Sequence, residues 1–200
     1  MRSLSKAVTA IAVAAGLTLG AAGAQAGGVV TNPPSVTGTY DFQTLDYIAA
    51  KGGMVTEIIG NPFNAPKAEV EAVVNRILAQ SHPGQRFPFF SQVPEGFPSP
   101  YRVVVLLNQG TAYSGQRLCG ESYLLQARET ASRPSSQGPG TVEIAAAFCA
   151  REIYLTSVSG RATGVGSLES RTFRKLLNQV GHELFPRRRL DRNGAGDAFF

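Results

Sequence analysis

The unbroken apolar run from Val103 to Leu107 is the feature that most limits how this chain can fold. The run has the length of a strand and no polar side, so a strand formed there has to be covered on both faces or nearly so. Such cover requires packed helices or a second sheet, because each element buries its apolar face only against another element. The run therefore predicts an interior strand in a layered domain.

Two amphipathic segments predict the helices that cover this strand. In the first segment, Asn64 is the expected N-cap and residues 82–84 end the helix; the second segment spans 168–185 and stops at Pro186. The apolar positions that recur at helical spacing are Val70, Val73, Val74, Ile77 and Leu78 in the first, and Phe173, Leu176, Leu177, Val180 and Leu184 in the second. A shorter helix is expected within 41–50.

Strand patterns lie between these helices. Residues 54–59 are rich in β-branched side chains, and residues 142–148 alternate before a polar turn at 150–152 and a second strand at 153–158. This pattern predicts a β-hairpin whose alternate positions Glu143, Ala145 and Ala147 face water. The predicted fold is α+β: a two-layer α/β sandwich with a small, mostly antiparallel sheet covered by two or three helices.

The two ends of the chain differ from its middle. Residues 1–26 combine Arg2 and Lys6 with a short apolar run and a small-residue site at Ala24-Gln25-Ala26, a pattern typical of a cleaved secretory signal peptide. We expect an exported protein, periplasmic or secreted, with no transmembrane anchor after cleavage. Residues 27–39 are expected to form a flexible arm, 40–186 a single α/β domain, and 187–200 a mobile, Arg-rich tail.

Cys119 and Cys149 are the only cysteines in the 200 residues. In a chain bound for an oxidising compartment, two cysteines favour a disulfide, which would close a loop of about 30 residues. The alternative is a pair of separate buried thiols, because free cysteine is a common small core residue.

Residues that could support catalysis are few. The chain has two histidines: His82 is expected to act as a polar or cationic helix end-cap, and His182 to lie in solvent. The mature segment has none of the common nucleophile or zinc motifs, so no metal, cofactor or catalytic residue is predicted. A hydrolase or transferase that uses carboxylates stays an alternative; its candidate acids are Asp46, Glu57, Glu121 and Glu143.

The sequence Gly194-Ala195-Gly196-Asp197 resembles the signature of ribokinase-like carbohydrate kinases, in which glycine amides at a helix start stabilise an anion. Only three residues follow Asp197, and no Gly-rich phosphate loop lies upstream. We therefore expect the match to be coincidental.

Two surfaces are candidates for binding a partner. A loop with five prolines holds four phenylalanines that either extend the core or form an exposed ridge, and a basic helix face precedes an arginine cluster. The candidate residues are Phe87, Phe89, Phe90, Phe97, Arg171, Arg174, Lys175, Arg187, Arg188 and Arg189. The basic residues suit an anionic envelope surface, a lipid headgroup or a wall polymer, and the alternative is ordinary solubilising charge. Nucleic acid is not expected, given export and the small positive net charge.

Several segments, among them MVTEIIGNPFNAPKAEVEAVVNRIL and FRKLLNQVGHELFP, resemble a group of uncharacterised bacterial exported proteins. The resemblance implies export and carries no activity. The expected function is a non-enzymatic envelope protein that binds or supports another envelope component. The alternatives are the carboxylate enzyme and a structural secreted domain without a specific ligand.

Overall fold

The structure is a computed structural model that describes residues 28–97, 99–108, 114–131 and 140–187. Its elements in chain order are β1 (Val29–Thr31), β2 (Ser35–Val36), α1 (Thr44–Ala50), β3 (Met54–Ile59), α2 (Lys67–Ser81), β4 (Phe89–Phe90), β5 (Tyr101–Leu107), α3 (Gly115–Cys119), α4 (Glu121–Ala131), β6 (Thr141–Ala150), β7 (Ile153–Thr163) and α5 (Arg171–Leu184). The predicted signal peptide and residues 188–200 of the predicted tail lie outside the described residues.

The strands form one open sheet of seven strands in the order β1-β7-β6-β5-β3-β4, with β2 also paired to β7. β3 pairs in parallel with β4 and β5, and the other neighbouring strands are antiparallel. The predicted α+β class with a mostly antiparallel sheet in a two-layer arrangement is therefore confirmed.

The interior position of β5 is confirmed by the burial of its side chains. Val103, Val105 and Leu107 belong to the main core cluster, while Val104 and Leu106 belong to a second cluster, and all five are fully buried. Helices α1, α2 and α5 supply the helical side of the main cluster, and the short helices α3 and α4 supply that of the second. One face of the sheet thus packs against the three helices of the main cluster, and the other packs against the two short helices of the smaller cluster.

The two long helices begin for different local reasons. α5 begins after Ser170, whose Oγ accepts a hydrogen bond from the backbone N–H of Phe173 at 3.2 Å. The prediction that Asn64 caps α2 is wrong: Asn64 has φ of 52° and lies outside the helix, while Pro66 holds the N-cap position. Proline fits there because its missing N–H would have no partner in the first turn.

The structure places two short strands within residues 27–39, which were expected to form a flexible arm. β1 and β2 both pair with β7, and Val29 lies opposite Ala162. These short strands take up hydrogen-bonding groups along β7 that would otherwise form an open sheet edge. The sheet therefore begins well before Tyr40, the expected start of the domain.

The hairpin of β6 and β7 is confirmed, with its turn at Arg151 and Glu152, but its second face is not solvated as expected. Ala145 and Ala147 are almost fully buried in the second core cluster, and Glu143 is 8% exposed. For Ala145 and Ala147 the reason is the cover that α3 and α4 provide on this face, which was not predicted.

The predicted disulfide is present between Cys119 and Cys149, whose Cα atoms lie 5.7 Å apart. Both residues are fully buried in the second cluster. The bridge fastens the end of α3 to β6. No helix in the described ranges is long and apolar enough to cross a membrane.

Candidate functional site

One exposed row of side chains on α5 is the strongest candidate for a binding site. Arg171, Arg174, Lys175, Asn178 and His182 are all exposed and recur at i, i+3, i+4, i+7 and i+11, so they form one stripe along the helix. We call these five residues the α5 stripe. The opposite face of α5 is fully buried in the main core, which fixes the direction in which the stripe points.

The first four residues of the stripe border a shallow concavity. Arg171, Arg174, Lys175 and Asn178 line a space of about 480 Å³. Because Ser170 fixes the start of α5, the three cations occupy its first two turns. The site is therefore built on a regular helix whose position is set by the core, which gives a better-defined geometry than a loop.

The position of these cations opposes the helix dipole. The N-terminus of a helix carries partial positive charge, so a cation there is unfavourable by about 0.3–1 kcal/mol at low salt. Three other helices follow the favourable pattern, with Asp46 in the first turn of α1, Glu69 in that of α2 and Glu121 in that of α4. The first turn of α5 has no acid. Arg171 and Arg174, which lie in the first turn of α5, are thus held at a cost to the helix, whereas Lys175 lies beyond the turn in which this effect acts.

Nearby acidic side chains do not neutralise the stripe. Glu169 pairs with Arg76 through a 3.3 Å contact, and it offers Arg174 only its backbone carbonyl, at 2.9 Å. Glu183, the sole acid of α5, accepts a hydrogen bond from Thr31 on β1 at 2.7 Å. Within the described part of the chain, Arg171 and Lys175 form no ion pair.

The aromatic loop does not form the exposed ridge that was considered. Phe87 and Phe89 are 4% and 6% exposed and belong to the main core. Phe90 and Phe97 are partly buried, and their rings pack edge to face with 5.8 Å between the ring centroids. Residues 89–90 also form β4, although regular structure was not expected in this loop. The alternative in which the phenylalanines extend the core is therefore correct for Phe87 and Phe89.

His82 is buried beside these rings and contacts them. The residue is 3% exposed, and its imidazole stacks on Phe87 with 4.2 Å between ring centroids. The centroid of the Phe89 ring lies 5.7 Å from that of the imidazole. Its Nδ1 lies 3.2 Å from the carbonyl oxygen of Pro83. Burial lowers the pKa of His82, and the charge of Arg86 lowers it further. His82 occupies the C-cap position of α2, where its backbone N–H donates to the carbonyl oxygen of Leu78 at 3.2 Å, so the expected end-cap position is confirmed; burial disfavours the cationic form of its ring. His182 is exposed, as predicted.

Three of the four candidate carboxylates, those of Glu57, Glu121 and Glu143, lie within 4 Å of arginine nitrogens. Arg128 donates to Glu57 at 3.0 Å through Nε and to Glu121 at 3.1 Å through Nη1, and these hydrogen bonds raise the pKa of Arg128. The Oε1 atom of Glu143 lies 3.9 Å from Nε of Arg161. Asp46 lies apart from these residues, exposed on α1. Spacing along the chain gave no sign of the Arg128 cluster, because it joins β3 to α4.

A second cavity of about 480 Å³ lies where β3 and β5 end. Asn108 borders it but is engaged with β6, since its Oδ1 accepts from the backbone N–H of Glu143 at 2.8 Å. Glu69, Glu169 and the apolar Phe63 are among the residues that line it. The described residues contain no group of three or more His, Cys, Asp or Glu side chains that could hold a metal ion.

Arg187 is exposed at the last described position. Arg188, Arg189 and the kinase-like stretch Gly194–Asp197 lie outside the described residues.

Comparison with known proteins gives little further information. No family model and no curated protein matches the chain. Two solved structures of PelC dodecamers from Paraburkholderia phytofirmans, one of them a point variant, are each 14% identical to it. The alignments cover 81% and 80% of this chain and 99% of PelC, with TM-scores of 0.39 and 0.40. Scores this low carry no argument about function.

Proposed function

We propose that the protein is an exported, non-enzymatic protein of the cell envelope that binds an anionic envelope component through the α5 stripe. The observation that carries the proposal is the placement of Arg171 and Arg174 in the first turn of α5 and of Lys175 directly after it, with none of the three in an ion pair among the described residues. An anion bound there would be attracted by the three cations and by the helix dipole together.

Simple solubilising charge explains this arrangement less well. Charge that serves solubility can be placed anywhere on the surface, including the ends of helices where cations are favourable. In α5 the cations are instead concentrated at the unfavourable end. Arginine also offers a planar fork of donors that fits carboxylate and phosphate groups, and two of the three cations are arginines.

Export has separate support. The pattern of residues 1–26 is that of a signal peptide, and the domain carries a disulfide, which persists in oxidising compartments. The alternative of a carboxylate enzyme has weaker support, because Glu57 and Glu121 are both bound by Arg128.

The proposal can be tested by sedimenting purified mature protein with isolated envelope fragments at increasing salt. We expect binding that weakens with salt and falls at least tenfold in the triple variant Arg171→Gln, Arg174→Gln, Lys175→Gln. A control with the same net charge replaces three exposed cations elsewhere, Lys51, Arg117 and Arg151, by glutamine.

The control variant should bind like the wild type. Equal loss in both variants would mean that only net charge matters, and unchanged binding in the stripe variant would exclude the stripe as the binding surface. Absence of binding in the wild type would favour the structural domain without a specific ligand.

A further inference from the structure

The length of the α5 stripe constrains its ligand. From Arg171 to His182 the stripe covers eleven residue steps, which at about 1.5 Å per residue corresponds to about 16 Å along the helix. A single carboxylate or phosphate group reaches side chains within about one turn, so it would engage at most the cations of the first two turns. Only an extended ligand can contact the whole stripe.

The chemistry of the stripe changes along its length. Its first part is cationic, with Arg171, Arg174 and Lys175, and its second part holds the neutral amide of Asn178 and the imidazole of His182. An amide both donates and accepts hydrogen bonds, which suits hydroxyl groups, whereas the guanidinium forks suit carboxylates. The stripe therefore fits a ligand that carries both kinds of group.

We propose, building on the proposed function above, that the stripe binds a linear acidic polysaccharide laid along α5. Its carboxylates contact Arg171, Arg174 and Lys175, and its hydroxyls contact Asn178 and His182. The shallow surface that the first four of these residues line is open to solvent, so a chain can approach it along the helix.

A lipid surface fits the same residues less well. Helices that lie on membranes insert apolar side chains at the interface, but the apolar side of α5 is buried in the core. The large apolar side chains that are exposed in the described residues are Val30, Tyr47, Val93, Leu125 and Ile153. None of these lies on α5, and three cations alone give a weak attraction to anionic headgroups.

The test is calorimetric titration of the mature protein with four probes: alginate oligomers of graded length, monomeric uronate, polyphosphate, and vesicles that contain phosphatidylglycerol. We expect affinity for alginate to rise at least tenfold from monomer to the oligomer that spans the stripe. Asn178→Ala should lower alginate affinity about threefold to tenfold while leaving any weak polyphosphate binding unchanged. Gln126→Ala, an exposed position on α4, is the matched control.

The outcomes separate the two proposals. Tighter binding to polyphosphate or vesicles than to alginate, equal affinity for monomer and oligomer, or no effect of Asn178→Ala would overturn the polysaccharide inference and leave the anion-binding function in place. If no probe binds and the stripe variants also leave envelope sedimentation unchanged, the proposed function itself fails. Circular dichroism of each variant checks that the fold is retained.

Discussion

If the cations of α5 are held at a cost to the helix, reversing one of them should stabilise the protein while it weakens binding. Arg171 is the most informative position, since it is the first residue of α5 and follows the Ser170 cap directly. The substitution Arg171→Glu replaces a charge that opposes the helix dipole by one that favours it. The side chain is exposed, so the change should leave the core intact.

The size of the effect follows from two contributions. Removing a cation from a helix N-terminus and adding an anion there are each worth about 0.3–1 kcal/mol at low salt. The new carboxylate also lies four residues before Lys175, a spacing that adds about 0.2–0.5 kcal/mol. Exposure favours the lower end of both ranges, so we expect the free energy of unfolding to rise by about 1 kcal/mol. For a domain of this size that corresponds to about 2–4 °C in Tm.

The assay is urea unfolding, followed by circular dichroism, at low salt and at high salt. Arg171→Gln should give about half the gain, and high salt should reduce the gain of both variants by screening. The matched control is Lys67→Glu at the first position of α2. There Lys67 pairs with Glu71 at 3.6 Å, so the gain from the dipole should be offset by repulsion between two acids.

A lower or unchanged stability of Arg171→Glu at low salt would refute the reasoning. It would mean that the cations of the stripe impose no cost, and the main support for a functional origin of their placement would be lost. A gain in stability together with undiminished binding to envelope fragments would show that Arg171 takes no part in the site.

Three further predictions concern the core. First, burial lowers the pKa of His82 below 6.5 in the folded state, so as pH falls the unfolded chain takes up the proton first and the free energy of unfolding decreases below pH 6.5. In urea unfolding, His82→Phe should make the free energy of unfolding less dependent on pH in this range. An unchanged pH profile would contradict the assignment. Second, replacing both bridged cysteines by alanine should lower the free energy of unfolding by about 3–4 kcal/mol, because the bridge spans 30 residues; an unchanged urea midpoint would count against this. Third, Gly181→Ala should destabilise by about 1 kcal/mol although alanine normally favours helices, since a Cβ there would lie within 3.1 Å of the Ser81 Cβ. Gly166→Ala, which meets no atom within 4 Å, should be nearly neutral in the same measurement.

The parts of the fold that could be predicted are those with strong local periodicity. β5, α2 and α5 carry uninterrupted or evenly spaced apolar residues, so sequence alone indicated which face each would bury. α3 and α4 carry few apolar side chains; α4 buries only Leu124 and Ala127. Such a weak pattern gives little local signal, and the cover that these helices provide depends on the bridge to β6 and on the Arg128 cluster.

The same distinction holds for the candidate site. The α5 stripe could be predicted because it is the geometric complement of a clear apolar face. For Phe87 and Phe89 the sequence left core and exposed ridge as alternatives; it gave no sign of their contacts with His82, which join a helix end to residues that follow it. The N-terminal strands were missed because their pairing with β7 is non-local and Pro33-Pro34 suggested a flexible arm.

The pairing of β1 with β7 also bears on how the chain reaches its folded state. Gly28 and Thr163 lie 135 residues apart along the chain yet are joined by a hydrogen bond, and Thr31 donates to Glu183 on the last described helix. The first strand therefore has no partner until almost the whole domain is available. Contacts of such high sequence separation slow folding, because the entropy of closing a long loop has to be overcome before the contact contributes. The addition of β1, which completes this edge of the sheet, should therefore be a late step in folding.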